Sequence, residues 1–248
     1  METASSHVDA PTTAPQKAQS FWEDLIDIFF SPADVFRRRQ YLSVWPPLLF
    51  VSLGIGLIVY VTFNTLEPAY TAEFMRGAAK QMAKNPQVTP EAIKRAGEIG
   101  NMVARYGVAV VFFFLVLVLG TLSWVVGKFV GSKQTFHAAM VVAAWSYMPR
   151  VLGAVLAGVQ GLLMDESKLT GQLALSLGPA RFYDPDSTNP LLYQALGRLD
   201  LMTLWTTALL AVGLYVTGKV SKGQAVAFGI LIWVVGSLPM LRAGFLAM

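Results

Sequence analysis

The sequence predicts an all-α integral membrane protein, a polytopic helical bundle with five transmembrane helices preceded by amphipathic helices. Hydrophobic residues make up 54% of the 248 residues and charged residues only 14%, whereas soluble domains carry about 25% charged residues. One globular surface cannot cover so much apolar side chain with polar groups. The apolar residues also form runs long enough to cross a bilayer, where a lipid-facing backbone must satisfy its own hydrogen bonds as helix.

The first 19 residues predict a disordered cytoplasmic tail. They contain Thr, Ser, Ala, Pro and Gln and almost no large apolar side chain, so burial cannot offset the entropy of ordering them. The first long apolar run begins only at Trp45 and no small-residue cleavage site follows a short apolar core. We therefore expect no secretory signal and a first span that is retained.

Residues 20–40 predict two short amphipathic helices. Ser20 and Glu23 have the spacing of a capping box, and the apolar residues after Ser20 recur at steps of three and four. A second start follows, in which Ser31 caps, Pro32 takes the first helical position and Asp34 completes the box. The apolar positions of the first helix are Trp22, Leu25, Ile26 and Phe29.

Arg37, Arg38 and Arg39 end the second helix. A helix in the headgroup region would place its aromatic residues, Trp22 and Phe29 among them, in lipid and its arginines near anionic headgroups. Packing of the two helices against the spans of the protein itself explains the pattern equally well, and docking of a partner is a third interpretation. These five side chains are the predicted lipid-interface residues.

The membrane domain, residues 41–248, contains five predicted spans. At about 1.5 Å per residue the shorter runs reach about 26 Å and the longer ones more than 30 Å, which matches the hydrocarbon core within tilt. The short fourth run also fits a buried core helix or a re-entrant segment. The predicted spans are approximately residues 45–66, 107–130, 138–163, 201–218 and 224–245.

The short flanks of the spans predict the orientation. The arginine triplet precedes the first span, and the short links after the second and fourth spans carry lysines without carboxylates. The positive-inside rule places these flanks in the cytoplasm. With five crossings the N-terminus is then cytoplasmic and the C-terminus outside, in a plasma membrane that we interpret as a bacterial inner membrane. The link lysines are Lys128, Lys133, Lys219 and Lys222.

The two longer links differ in character. Residues 67–106 predict a helical hairpin, because helical spacing is interrupted at Asn85 and Pro86 and restarts at Thr89. Residues 164–199 are polar and turn-rich, and Asn189 is expected to begin a short helix. The aspartates of this link lack the further oxygen ligands of a calcium loop.

Two features of the third span stand out. Gly153, Ala157 and Gly161 lie four residues apart and leave one helix face without side-chain height, which favours close helix packing within the chain over dimerisation. Arg150 follows Pro149 near the bilayer centre, where a charge costs at least about 2.5 kcal/mol. Pro149 frees the carbonyl of Trp145, and the guanidinium could satisfy this carbonyl or reach water in a cavity between helices. No carboxylate is expected at matching depth in another span.

Arg150 therefore has two interpretations. As a functional residue it forms an anion or headgroup site at a broken helix, and as a structural residue it reaches polar surroundings because the helix is kinked or shifted.

Several function classes are excluded. The chain has no cysteine, and its two histidines, His7 and His137, are too few for a three-histidine metal site. A hydrolytic triad is hard to assemble with one histidine at the membrane edge. We predict no catalytic residues, no metal and no cofactor. The 19 Lys and Arg residues are scattered among the links rather than gathered on one basic face, which argues against nucleic acid as a partner.

Motifs in matching order carry a family resemblance. They are Ile28–Pro32 with Val35 and Phe36, Ala144–Leu152, Asp200–Trp205, Gly213 with Leu214, and Ser221–Ala225. These five motifs resemble the Yip1 family of five-span membrane proteins, most closely its bacterial branch. The likeness covers about residues 20–245. One departure is Trp145, where the family more often shows Tyr. The resemblance implies a helical bundle with a cytoplasmic N-terminus and no known catalysis.

The leading hypothesis is a non-enzymatic membrane protein that organises lipid or scaffolds membrane partners. Anionic membrane lipids are its expected partners, with membrane proteins and a second copy of the chain as further candidates. The alternative is a small transporter or channel for an anionic solute that uses Arg150 at the Pro149 break. An intramembrane hydrolase near His137 is a distant third.

Overall fold

A computed structural model describes residues 20–85 and 87–246, and the predicted tail lies outside them. The described residues form α-helices, a few short 3-10 turns and one π-helical segment, and these ranges contain no strand. The all-α prediction is therefore confirmed. The α-helices are α1 Phe21–Phe30, α2 Pro32–Arg39, α3 Trp45–Lys84, α4 Pro90–Met102, α5 Val108–Phe129, α6 Phe136–Ser146, α7 Met148–Leu163, α8 Pro190–Gly197, α9 Leu201–Thr217 and α10 Lys222–Leu246.

Four helices among the described residues are long and apolar enough to cross a membrane. They are Trp45–Lys84, Pro90–Phe129, Phe136–Leu163 and Lys222–Leu246. The predicted fourth span is different, because α9 qualifies only together with α8, from which it is bent by 54°. The structure thus supplies four to five candidate spans, and the bent pair is the one that the sequence left open as a re-entrant or core segment.

The short helix α9 packs along the broken third span in the opposite direction. Met202 near its start lies against Gly153 of α7, and Gly213 near its end lies against Val142 of α6. At the end of α9, the carbonyl of Gly218 accepts a 2.8 Å hydrogen bond from the amide of Lys133. The helix α9 therefore follows the third span from Gly153 to the loop that precedes α6.

The core of the bundle surrounds α6. Every residue of α6 from Ala138 to Ser146 is buried, because α3, α5 and α9 all pack against this helix. The largest fully buried side chains include Trp145, Phe36 and Phe228. A helix that is apolar all round is expected at such a central position.

The N-terminal hairpin, defined as α1 and α2, packs against the bundle. The predicted capping box is present, since the Ser20 hydroxyl accepts from the Glu23 amide and the Glu23 carboxylate accepts from the Ser20 amide. The second predicted box is wrong: Ser31 makes no side-chain capping bond. Asp34 instead accepts a hydrogen bond from Arg37, one turn further along the helix.

The predicted helical hairpin is continuous with the spans. Helix α3 runs through Pro68 to Lys84, and Thr89 caps α4 by accepting from the amide of Ala92. A π-helical segment, Val103–Gly107, joins α4 to α5. The first two candidate spans therefore extend as helices beyond their apolar segments.

Candidate functional site

The third candidate span is broken at Tyr147. Helix α6 ends at Ser146, α7 begins at Met148, and Pro149 lies in the first turn of α7, where its missing amide leaves no hydrogen bond unmade. The break thus falls at the proline that the sequence singled out. The carbonyl of Trp145, however, accepts from the amide of Tyr147 and has no bond from Arg150, so that expected contact is wrong.

Arg150 instead turns to the start of α9. One guanidinium nitrogen donates a 2.6 Å hydrogen bond to the Thr203 hydroxyl, and another lies 3.7 Å from a carboxylate oxygen of Asp200. The expectation that no carboxylate would match the depth of Arg150 is therefore wrong. Asp200 precedes the fourth apolar run in the sequence, and only the packing of α9 against α7 brings it to this depth.

The carboxylate of Asp200 accepts most of its hydrogen bonds from uncharged donors. Its carboxylate caps α9 by accepting from the amide of Thr203 at 3.0 Å, and it also accepts from the amide of Leu177 at 2.9 Å. The negative charge lies at the N-terminus of α9, where the helix dipole favours it. One carboxylate thus caps a helix, fixes the link before α8 and faces Arg150.

A second arginine, Arg198, lies two residues before Asp200. Its Nε atom donates a 2.9 Å hydrogen bond to the Ser237 hydroxyl of α10, and its carbonyl accepts from the indole of Trp233. No carboxylate lies within ion-pair distance of Arg198 in the described ranges. The sequence showed Arg198 only as one basic residue of a long link, so its role depends on how α8, α9 and α10 pack.

Both arginines line one cavity of about 420 Å³. Asp200 and Thr203 lie at its polar end with them, and the Ser176 hydroxyl, which is buried without a hydrogen-bond partner in the described residues, belongs to the same wall. The rest of the wall is mainly apolar and extends along α3 and α5 toward Tyr70. Its apolar members include Ile55, Val59, Val108, Phe112 and Ala154.

The cavity has the chemistry of a site for an anionic amphiphile. Two guanidinium groups face a single carboxylate, which leaves one positive charge without a counter-ion among the lining residues. Arginine forks match carboxylate and phosphate oxygens. A cationic end and a long apolar wall together suit a charged head attached to an apolar chain.

The predicted packing residues of α7 contact other helices of the same chain. A Cβ atom on Gly153 would lie 3.1 Å from Met202 of α9, and one on Gly161 would lie 3.0 Å from Leu66 of α3. Ala157 lines the cavity. The small residues on this face of α7 therefore let α3 and α9 pack closely against it. They also leave room for the cavity between the three helices.

The predicted lipid-interface arginines are paired inside the N-terminal hairpin. Asp24, whose side chain is fully buried, contacts both Arg38 and Arg39, and Arg38 also donates a 2.9 Å hydrogen bond to Asp27. Burial acts against the charge of Arg38, but its hydrogen bonds and its attraction to the two aspartates outweigh burial and raise its pKa above the ordinary value. Arg37 pairs with Asp34 at 2.6 Å. The hairpin thus neutralises much of its own charge.

Its aromatic residues face two environments. Phe29 packs edge-on against Trp205 of α9 with ring centroids 5.2 Å apart, whereas Trp22 is 68% exposed. Ile26 and Phe30, one and two turns after Trp22, are exposed as well. The hairpin therefore packs one face against the bundle, as the second interpretation of residues 20–40 expects, and leaves an apolar stripe uncovered. Headgroup contact by the stripe stays a prediction.

No group of three or more His, Asp and Glu side chains within residues 20–85 and 87–246 is arranged to hold a metal ion. His137 hydrogen-bonds through Nε2 to the carbonyl of Leu42 at 2.9 Å.

Comparison with known proteins agrees with this architecture. A family model described as the Yip1 domain matches residues 26–242. Membrane protein YknW of Bacillus subtilis is 24% identical over 214 residues, which cover 84% of this chain and 86% of that protein. No solved structure is significantly similar to the chain.

Proposed function

The chain belongs to the Yip1 family of membrane proteins, and from that premise we propose that it is a non-enzymatic protein that organises membrane lipid by binding an anionic lipid. The lipid occupies the cavity between α3, α7 and α9, with its charged head at Arg150 and Arg198. Scaffolding of membrane partners would then depend on the lipid-bound bundle.

The observation that carries this proposal is the charge balance of the cavity. Arg150 and Arg198 are both partly withdrawn from solvent, and Asp200 is the single carboxylate among the lining residues. Removing charge from water is costly unless a partner is supplied. A bound phosphate or carboxylate supplies that partner.

The apolar wall favours a lipid over a small ion. A cavity of about 420 Å³ falls within the usual range of small-molecule sites, which is roughly 300–1,000 Å³. An inorganic anion would fill only the arginine end. Burial of methylene groups along the wall adds about 0.8 kcal/mol each to the affinity of a chain-bearing ligand.

The test replaces both arginines in the full-length protein. Arg150→Gln combined with Arg198→Gln removes the charge and keeps hydrogen-bonding amides, and Arg95→Gln, on the exposed surface of α4, is the control. We expect native mass spectrometry of detergent-released protein to show bound phosphatidylglycerol or phosphatidic acid in the wild type and in the control. The double variant should lose it.

Equal lipid occupancy in the wild type and the double variant would reject the cavity as the lipid site. Loss of lipid is informative only if the variant folds, so its thermal unfolding and helix content are measured beside the wild type. Phosphatidylcholine serves as the zwitterionic comparison, because it should be retained equally by all three proteins.

A second candidate function is passage of a small anion past Arg150. The break of the third span at Tyr147, beside the cavity, favours it, since broken helices form the binding sites of many transporters. Arg150→Ala should then reduce anion flux in proteoliposomes while the protein remains folded. Absence of flux for any tested anion, or equal flux in the variant, would reject this candidate.

For localisation we propose a bacterial inner membrane, with the N-terminus in the cytoplasm and the C-terminus outside. The support is the excess of lysines over carboxylates in the loops before α6 and α10. Reporters fused at the two ends should signal from opposite compartments. Signals from one compartment would indicate an even number of crossings, with the α8–α9 pair entering and leaving on the same side.

A further inference from the structure

Two loops at one end of the bundle are joined into a single surface. The amide of Lys133 donates to the carbonyl of Gly218 at 2.8 Å. The side chain of Gln224 donates to the carbonyl of Val130 at 2.9 Å, and that of Gln134 donates to the Thr217 hydroxyl at 2.6 Å. The loop before α6 and the loop before α10 are therefore held in a fixed arrangement.

Three lysines of this surface are exposed and make no ion pair in the described part of the chain. We call Lys133, Lys219 and Lys222 the lysine face. No Asp or Glu occurs between residues 107 and 164 or after Asp200, so neither loop nor the adjoining helices α5, α6, α9 and α10 supply a counter-ion. The positive charge of the lysine face is therefore not neutralised by these elements.

Two backbone carbonyls beside the lysine face, which would repel an anion, are occupied by hydrogen bonds from another lysine. The ammonium group of Lys128 donates to the carbonyls of Gln134 and Ser132 at 3.1 and 3.4 Å, which neutralises two loop acceptors. Lys219 is the one described non-glycine residue with positive φ, at 53°, a conformation that costs non-glycine residues about 1–2 kcal/mol. Glycine at this position would adopt the same backbone conformation with less steric strain.

The surroundings of the lysine face mark the membrane surface. Phe129, at the end of α5, is 81% exposed, and Phe136 at the start of α6 is about half exposed. The indole of Trp124 lies edge-on to Phe136, and its ring is 5.1 Å from the Lys128 ammonium. Aromatic residues at the end of an apolar helix are typical of the boundary between hydrocarbon and headgroups. The densest anions at this depth are phospholipid headgroups.

We propose that the lysine face binds the headgroups of anionic phospholipids in the leaflet at its end of the bundle. This site shares no residue with the cavity of Arg150 and Arg198, and it does not depend on that cavity being occupied. We expect the lysine face, and not the arginine triplet, to make the electrostatic contact with the bilayer, because the three arginines are paired with aspartates of the hairpin.

The test uses a single fluorescent label beside the lysine face in the full-length protein. The chain has no cysteine, and a side chain on Gly223 would meet only the Ser221 hydroxyl, 4.0 Å away. Gly223→Cys is therefore labelled, and quenching by brominated phosphatidylglycerol is compared with quenching by brominated phosphatidylcholine in reconstituted vesicles. Gly77→Cys, with nothing near its Cβ position, provides a reference label far from the face.

Each lysine near an anionic surface contributes about a fivefold preference for anionic lipid, the equivalent of about 1 kcal/mol. The combined variant Lys133→Gln, Lys219→Gly and Lys222→Gln should reduce the preference at the Gly223 label by roughly a hundredfold at low salt and by about tenfold at physiological salt. Glycine is used at position 219 because it accepts the positive φ. The matched control, Lys80→Gln with Lys94→Gln and Arg95→Gln, should leave this preference unchanged.

An equal preference in the wild type and the lysine variant would overturn the proposal. So would the absence of any preference for phosphatidylglycerol at the wild-type Gly223 label. If, in the absence of that preference, a soluble oligoglutamate peptide bound the wild type and not the lysine variant, the face would serve an acidic protein instead. Loss of cavity lipid in the Arg150 and Arg198 double variant leaves the Gly223 readout unaffected, so the two proposals fail separately.

Discussion

Replacement of Asp200 separates the capping role of its carboxylate from its other contacts. Asp200→Ala removes the bond from the Thr203 amide and the bond from the Leu177 amide, at 3.0 and 2.9 Å. Loss of an N-cap costs about 1 kcal/mol, and a buried amide left without a partner costs about 1–2 kcal/mol. We therefore expect Asp200→Ala to lower the free energy of unfolding by about 2–3 kcal/mol.

Asp200→Asn is the comparison that keeps the cap, because asparagine caps helices about as well as aspartate. The Thr203 and Leu177 amides donate to different oxygens of Asp200, so the single amide oxygen of asparagine keeps the Thr203 bond and loses the Leu177 bond, at a cost of about 1–2 kcal/mol. The ion pair with Arg150 is 3.7 Å long and the arginine side chain is 30% exposed, so loss of this charge should cost less than about 1 kcal/mol. Thermal unfolding of the purified proteins in one detergent, followed by helix content, gives the ranking. Asp200→Asn should therefore be about 1 kcal/mol more stable than Asp200→Ala, which is the contribution of the cap. Equal stabilities of the two variants would refute the reasoning.

Three further predictions concern other parts of the structure. Gly213→Ala places a methyl group 2.2 Å from Val142 and should destabilise the contact of α9 with α6 by about 1–3 kcal/mol. The control Gly77→Ala, with open space at its Cβ position, should stabilise α3 slightly. Equal melting temperatures of the two variants would contradict this prediction. Asp24→Asn leaves Arg38 and Arg39 without their buried carboxylate and should expose the N-terminal hairpin to limited proteolysis before the rest of the chain, with Asp34→Asn as a control that should cleave like the wild type. The pKa of Asp184 lies below its ordinary value of 3.8 because the carboxylate accepts from the Asp186 amide and the Ser187 hydroxyl. These bonds stabilise the folded loop above pH 3.8 and are lost as the pH falls through the lowered pKa. Amide exchange at Asp186, corrected for its intrinsic pH dependence, should therefore accelerate only below about pH 4.

Local features of the chain were predictable from the sequence. The caps at Ser20 and Thr89, the break beside Pro149 and four of the five apolar spans all depend on residues close together along the chain. The family followed from motifs in a matching order. Ser31 is the local exception, because its backbone leaves the extended conformation that a capping residue normally adopts.

Features that depend on distant residues were not predictable. Arg150 meets Asp200 only because α9 packs antiparallel to α7, and the hydropathy pattern carries no information on the relative depth of two helices. Likewise Arg38 and Asp24 lie 14 residues apart and meet because the turn at Ser31 folds α2 back on α1. Arg198 lines the cavity and also donates to Ser237, which is 39 residues further along the chain.

The unbroken helix from Trp45 to Lys84 extends well beyond its apolar segment. Its 40 residues span about 60 Å at 1.5 Å per residue, so a rotation of ten degrees about its membrane-embedded half moves its tip by several ångströms. The tip is tied to the last helix by a 2.8 Å hydrogen bond from the Lys84 ammonium to the carbonyl of Leu246. A tilt of the first span would therefore displace the end of the last helix, to which the tip of α3 is hydrogen-bonded.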